Sequence, residues 1–438
     1  MTAYPLGGRG HRPRLLAPLL ICGLLSACGI FDNEEILPGE REPIRPVDTA
    51  VGTDGPVPPV TLAPAEENLV WTHKGGTPSH LAAHPALGTD LRLAWVVNVG
   101  QGSSRDGRLT SGPVVGVSGI FTLDTTGTVT STGFDGAPQW RVSLVPTGEA
   151  PAEAFGGGVA VQGDRVYVTT GLGQVVTLDA GNGQEIWQRR FEAPFRAAPT
   201  VAGERLLVVD RSNAAYGLDL QTGQTVWRIR GAETGVAMVT GAQPAFTDGI
   251  GLIPFTSGEV QAVFARTGRR LWSTAIASGR RGLARASIGE ITADPVIDGV
   301  TVYAGNQSGA LVSIDGRNGR RNWTLAEGAR DLPALAGDSL FVVTDTGALT
   351  RVDRDSGARI WTRQLDTAIE GSDTRQRAFF GPVIAGGRLY VAASDADVFV
   401  FDPEDGAPLG RVRVAYGVSA APAVARGTLL VLSNTGWL

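Results

Sequence analysis

Sulfur, lysine and histidine are all scarce in this chain, and each scarcity closes off a class of chemistry. Two cysteines occur in 438 residues, Cys22 and Cys28. Cys22 lies in LLAPLLICGLL (15–25), an apolar run preceded by Arg9, Arg12 and Arg14. The run is too short for a permanent membrane span and has the layout of a cleaved leader. Removing the leader leaves Cys28 as the one thiol, which excludes an internal disulfide, a cysteine zinc site and a thiol catalyst. Loss of those three arginines takes the formal net charge from −5 to −8, a poor match for nucleic acid. Lysine is reduced to Lys74, so arginine supplies the basic charge of many loops. Of four histidines, His11 leaves with the leader. His80 and His84 have the i, i+4 spacing of a helical metal pair, but Pro85 follows at once and Gly and Pro surround them. A surface loop without metal is expected there.

What is abundant points elsewhere. There are 60 glycines, and the apolar runs are short and rich in Val, Leu and Ile, a composition of many strands joined by tight turns. LSAC (25–28) at the end of the apolar run resembles a bacterial lipobox. The resemblance implies a signal peptide over 1–27, cleavage before Cys28, diacylglycerol on its sulfur and an acylated amino group, an anchor of several chains. Gly29, in place of an acidic residue after the cysteine, implies the outer membrane and its periplasmic face. From 28 to 69 the chain is Pro-rich and acidic without periodicity, and is expected to be a disordered tether.

From 70 to 438 one unit repeats. Its box, aligned on a Gly, reads TGFDGAPQW (132–140), DAGNGQEIW (179–187), DLQTGQTVW (219–227), FARTGRRLW (264–272), DGRNGRRNW (315–323), DRDSGARIW (353–361) and DPEDGAPLG (402–410). The tryptophans are Trp140, Trp187, Trp227, Trp272, Trp323 and Trp361, with Gly410 in the seventh slot. Spacings from 38 to 51 residues, with four strand-sized runs per unit, predict an all-β, eight-bladed β-propeller of four-stranded antiparallel blades. The Asp, or the residue standing in for it, folds a turn, the Gly permits a positive φ and a bulge, and the Trp, absent only from the seventh box, wedges against the next blade. Seven boxes are followed by two strands and a start on a third, 418–438, while DLRLAWVVNVG (90–100), with Trp95, is an outer strand without a meander. The last blade is therefore expected to close with strands from both termini.

The box resembles the tryptophan-docking repeat of quinoprotein propellers. Together with the lipobox and the tether, it resembles the BamB family, lipoprotein subunits of the outer-membrane β-barrel assembly machinery. WTHKGGTPSH (71–80) and LRLAWVVNVGQGSSRDGRLTSGPVV (91–115) are similar to the opening of that family's alphaproteobacterial members. The resemblance implies a non-catalytic scaffold without a cofactor. A quinoprotein dehydrogenase needs an adjacent Cys-Cys pair, calcium ligands and an Asp base; the mature chain lacks the pair, and its blades have no spare length for a pocket. The resemblance also implies that two long connections, 231–244 and 278–295, meet a POTRA domain of BamA. Met238, Val239 and Thr240 stand where the family has an apolar motif with an Arg, here absent; Glu290 and Thr292 stand where it often has two acidic residues. Arg280, Arg281 and Arg285 add a basic patch for an acidic partner surface. Other assembly subunits and unfolded outer-membrane proteins are the further partners expected. The alternative is a periplasmic propeller that binds a small ligand or an envelope polymer.

Overall fold

The computed structural model describes residues 57–232, 234, 241–276, 289–369, 372–395 and 397–438. Seven four-stranded antiparallel sheets follow one another along it. They are blades one to seven, at 114–143, 157–190, 200–230, 245–275, 291–325, 334–364 and 379–412. Among the described residues the only helical element is the turn Pro151–Glu153. In the eighth blade, Ala423–Ala425 pairs with Thr428–Leu430, and Val418 bridges Ser433. Residues 436–438 then run beside 97–99. Val97 and Leu438 exchange backbone hydrogen bonds at 2.9 Å, and Val99 N–H donates to Gly436 at 2.9 Å. The chain is an all-β, eight-bladed propeller.

The box works as a joint between blades. In the second blade, Asp179 Oδ1 accepts from the N–H groups of Gly181 (2.9 Å) and Asn182 (3.1 Å). Gly183 takes φ +74°, and the ladder shifts register between Thr177 and Leu178. These features follow from the local sequence, and the glycine has a second role that the local sequence does not contain. A Cβ on Gly183 would lie 2.7 Å from the ring of Trp140, so the previous blade's tryptophan lies flat on the turn. Trp140 Nε1 also donates to Ala180 O at 3.0 Å. The same stacking recurs at every box, from Trp95 on Gly136 to Trp361 on Gly406. Each indole N–H reaches a carbonyl of the turn it covers, as in Trp227 to Ala265 O at 2.7 Å. Burial of each ring is worth roughly 2–3 kcal/mol.

This joint explains Gly410. The eighth blade's third strand ends with the chain and its fourth comes from 97–99, so no turn joins them and none exists for a seventh-blade tryptophan to cover. Trp95, from that eighth blade, covers the first blade's turn instead.

The core consequently lies in the seams between blades. One cluster joins Tyr167, Val175 and Trp187 of the second blade to Val201, Leu206 and Leu218 of the third, and equivalent clusters fill the neighbouring seams.

Residues 57–87 depart from the expected tether and surface loop, because they form a collar. Asn68 binds Val424 and Arg426 of the eighth blade. Trp71 pairs with Val115 of the first, Thr72 O accepts from Val161 of the second, and His73 Nε2 accepts from Val201 N of the third. Pro78 O, Ser79 O and Pro85 O accept from Phe246, Ile297 and Gly386 of the fourth, fifth and seventh blades. Leu81 packs against the apolar cluster that joins the fifth blade to the sixth. One turn of extended chain thus meets all eight blades, and at seven of them it pairs with backbone N–H or C=O groups at or beside the inner strand. Upstream, Arg351, fully buried, donates to Pro58 O (2.7 Å), Pro59 O (3.1 Å), Glu404 O (3.1 Å) and Ser339 Oγ (2.9 Å). Equivalent positions opposite the other tryptophans are small: Ser131, Thr177, Gly217, Ala262 and Ser313. The propeller therefore grips the chain as far back as Pro58.

Candidate functional site

Two regions compete for function, the axis and the blade connections. The collar touches the far ends of the inner strands. Their beginnings, where connections arrive from the preceding blades, wall an axial cavity of about 1190 Å³. The expectation of no room for a pocket is thus corrected: the volume comes from the ring's axis and needs no insertion.

On the axis, Lys74 Nζ lies 2.6 Å from both Asp294 Oδ2 and Asp331 Oδ1, and both carboxylates are almost wholly buried. Burial by itself would lower the lysine pKa, but the two carboxylates outweigh it and hold the ammonium above its ordinary range. Asp331 also accepts from Gly381 N at 2.8 Å, and Asp294 from Gln243 N at 2.6 Å. The sole lysine of the chain therefore joins the collar to the walls of the fifth and sixth blades.

His80 and His84 do not converge. His80, buried, meets Pro295 O through Nδ1 at 2.8 Å. His84 bonds Ala63 O through Nδ1 and accepts from Gly387 N through Nε2. Among the described residues no group of three or more His, Cys, Asp or Glu side chains is arranged to hold a metal. The calcium that the quinoprotein resemblance would imply does not fit the paired axial carboxylates Asp294 and Asp331. These groups, which would ligate a cation, are already spanned by the Lys74 ammonium.

The blade connections divide differently from the expectation. Met238, Val239, Thr240, Arg280, Arg281 and Arg285 lie outside the described residues, as does Cys28. Glu290, expected to offer charge to a partner, is 1% exposed. Its Oε1 accepts from Arg196 Nη1 at 2.8 Å, and Arg196 is itself buried. Thr292 donates to Ala329 O at 2.8 Å and lines the cavity. Glu290 is held in the propeller's interior, and Thr292, half-buried in the fifth blade's inner strand, faces the cavity.

A third long connection also borders the cavity. Between the sixth and seventh blades, Ala368–Ile369 pairs with Ser372–Gln376, and Ile369 and Gln376 border the cavity. Arg377 fixes the hairpin's base through Asp395, Nε to Oδ1 at 2.6 Å. Its length shows in the sequence: Gly410 follows Trp361 by 49 residues, close to the longest spacing of the series.

Fold and axis together define a tryptophan-docking propeller of the quinoprotein type, in whose axis Lys74 is paired with Asp294 and Asp331. A family model described as "Outer membrane protein assembly factor BamB" matches residues 125–363, more than half of the chain. The chain belongs to that family. It is 23% identical over 432 residues to outer membrane protein assembly factor BamB of Yersinia pestis, covering 97% of this chain and 98% of that one. To the same factor of Escherichia coli (strain K12) it is 24% identical over 431 residues, covering 97% of each. Among solved structures, BamB from Moraxella catarrhalis superposes with TM-score 0.61 at 22% identity, covering 78% of this chain and 96% of that one. A europium-containing methanol dehydrogenase superposes with TM-score 0.65 at 14% identity, covering 82% and 87%. Both likenesses show the fold, which scaffold and dehydrogenase share.

Proposed function

We propose that this chain is a non-catalytic scaffold lipoprotein of outer-membrane β-barrel assembly. Anchored through Cys28 on the periplasmic face of the outer membrane, it binds one or more POTRA domains of BamA through the connections 231–244 and 278–295. There it aids assembly and insertion of barrel proteins. The observation that carries this reading is the family match, taken with an axis whose carboxylates Asp294 and Asp331 are bridged by Lys74. With strands and boxes committed to the fold, the connections are left to meet partners. Unfolded clients would pair with outer strand edges, where Ile186, Val226, Leu271 and Leu409 stand exposed directly before the tryptophan slot.

Affinity purification from solubilised membranes, with identification of co-eluting proteins, tests the scaffold reading. BamA is expected in the eluate, and its consistent absence would refute the reading. Replacing Cys28→Ala is expected to move the protein to the soluble periplasmic fraction, and persistent membrane fractionation would refute the anchor. The second reading, a propeller that binds a small ligand or envelope polymer, is favoured by the axial cavity alone. Saturable thermal stabilisation by such a ligand would support it.

A further inference from the structure

Arg196 and Glu290 meet where two blade connections return to the propeller. Arg196 stands between the second and third blades. Its carbonyl accepts from Gly241 N at 3.3 Å, where the 231–244 connection comes back. Its guanidinium holds Glu290, where the 278–295 connection comes back, at 2.8 Å. Two residues on from Gly241, Gln243 N donates to Asp294 Oδ1 at 2.6 Å. One arginine and two carboxylates thus bind both return points into the wall of the axial cavity. A charge buried this deeply is unfavourable unless it is paired. The pair therefore favours an arrangement in which the return points at Gly241 and Glu290 stay close to Arg196.

We propose that Glu290 and Arg196 are positioning residues for the partner surface. They fix the return points of the two connections relative to each other and do not touch the partner. The proposal rests on the reading that those connections bind the POTRA region.

A double-mutant cycle tests it, with Arg196→Met, Glu290→Gln and both together. Affinity for the purified POTRA region is measured by calorimetry, alongside hydrogen exchange of the whole protein. Positioning through the pair predicts that each single change weakens binding about tenfold and that the double change adds almost nothing further. Arg196→Lys restores most of the affinity. Exchange rises at Gly241–Gln243 and Glu290–Ile291 but not in the first or seventh blade. Equal weakening by Glu290→Gln in the wild-type and Arg196→Met backgrounds would mean that Glu290 acts independently of Arg196 and would overturn the proposal. So would single variants that bind as the wild type does. If Arg196→Met fails to fold, the charge-conserving pair Arg196→Lys and Glu290→Asp runs the same cycle. A wild-type protein that does not bind the POTRA region at all overturns the functional reading instead.

Discussion

Acid should loosen the collar through His73, and the size of the effect follows from the geometry. His73 is 1% exposed. Its Nε2 accepts the Val201 N–H at 3.0 Å, so that nitrogen carries no proton; Nδ1 meets Thr72 Oγ1 at 2.8 Å. Burial, with His80 close by, pushes the pKa of His73 down to about 3. In the unfolded chain the same ring titrates near 6.5. Between those values the unfolded state binds one proton more than the folded state, so stability falls as pH falls. The slope is about 1.4 kcal/mol per pH unit, or about 2.5 kcal/mol between pH 7 and pH 4.5. His73→Gln keeps an acceptor for Val201 but has no proton to take up in this range. Urea denaturation followed by tryptophan fluorescence at pH 7, 5.5 and 4.5 compares the two proteins. The variant starts less stable, because a ring is lost from a packed site, but its stability declines less steeply by about that amount. Parallel declines would refute the argument and show that His73 is not held neutral by the collar.

Three further outcomes are expected. Gly183→Ala places a methyl against Trp140 and strains a turn at φ +74°, costing about 3 kcal/mol or more. Gly163→Ala in the same blade has φ +59° but open space around it, costing about 1 kcal/mol; equal losses in denaturation would refute the docking role of the box glycine. Arg351→Ser, which installs the kind of small residue found in the other blades, should free residues 57–66. Limited proteolysis should then cut that stretch about tenfold faster with the blades intact, and unchanged protection would show that Arg351 does not hold the segment.

The blades were legible because their signal is local. Strand alternation, Asp-bearing turns and a Trp four residues after the Gly all fall within nine residues, and repetition averages out the exceptions. The cofactor question was partly legible from the missing cysteine pair. The axial argument against a cation needed Lys74 brought between Asp294 and Asp331, 220 and 257 residues later in the chain. The collar could not be read at all. It has no periodicity, and its hydrogen-bond partners are backbone groups on seven separate blades. Glu290 was misjudged for a related reason: its neighbours in sequence suggest a loop, while its burial depends on Arg196, 94 residues away.

The sequence by itself determined the repeat and the number of its units, because short-range pattern suffices for each. Only the tertiary structure decided what the irregular parts do. Closing eight blades into a ring creates an axis and a set of inner edges that no single repeat contains. It is there that the Pro-rich entry segment becomes a collar, the lone lysine becomes a clasp, and an acidic residue expected at a partner surface becomes an internal brace. Hydrogen bonds and ion pairs of this kind depend on distances that exist only once the ring has closed.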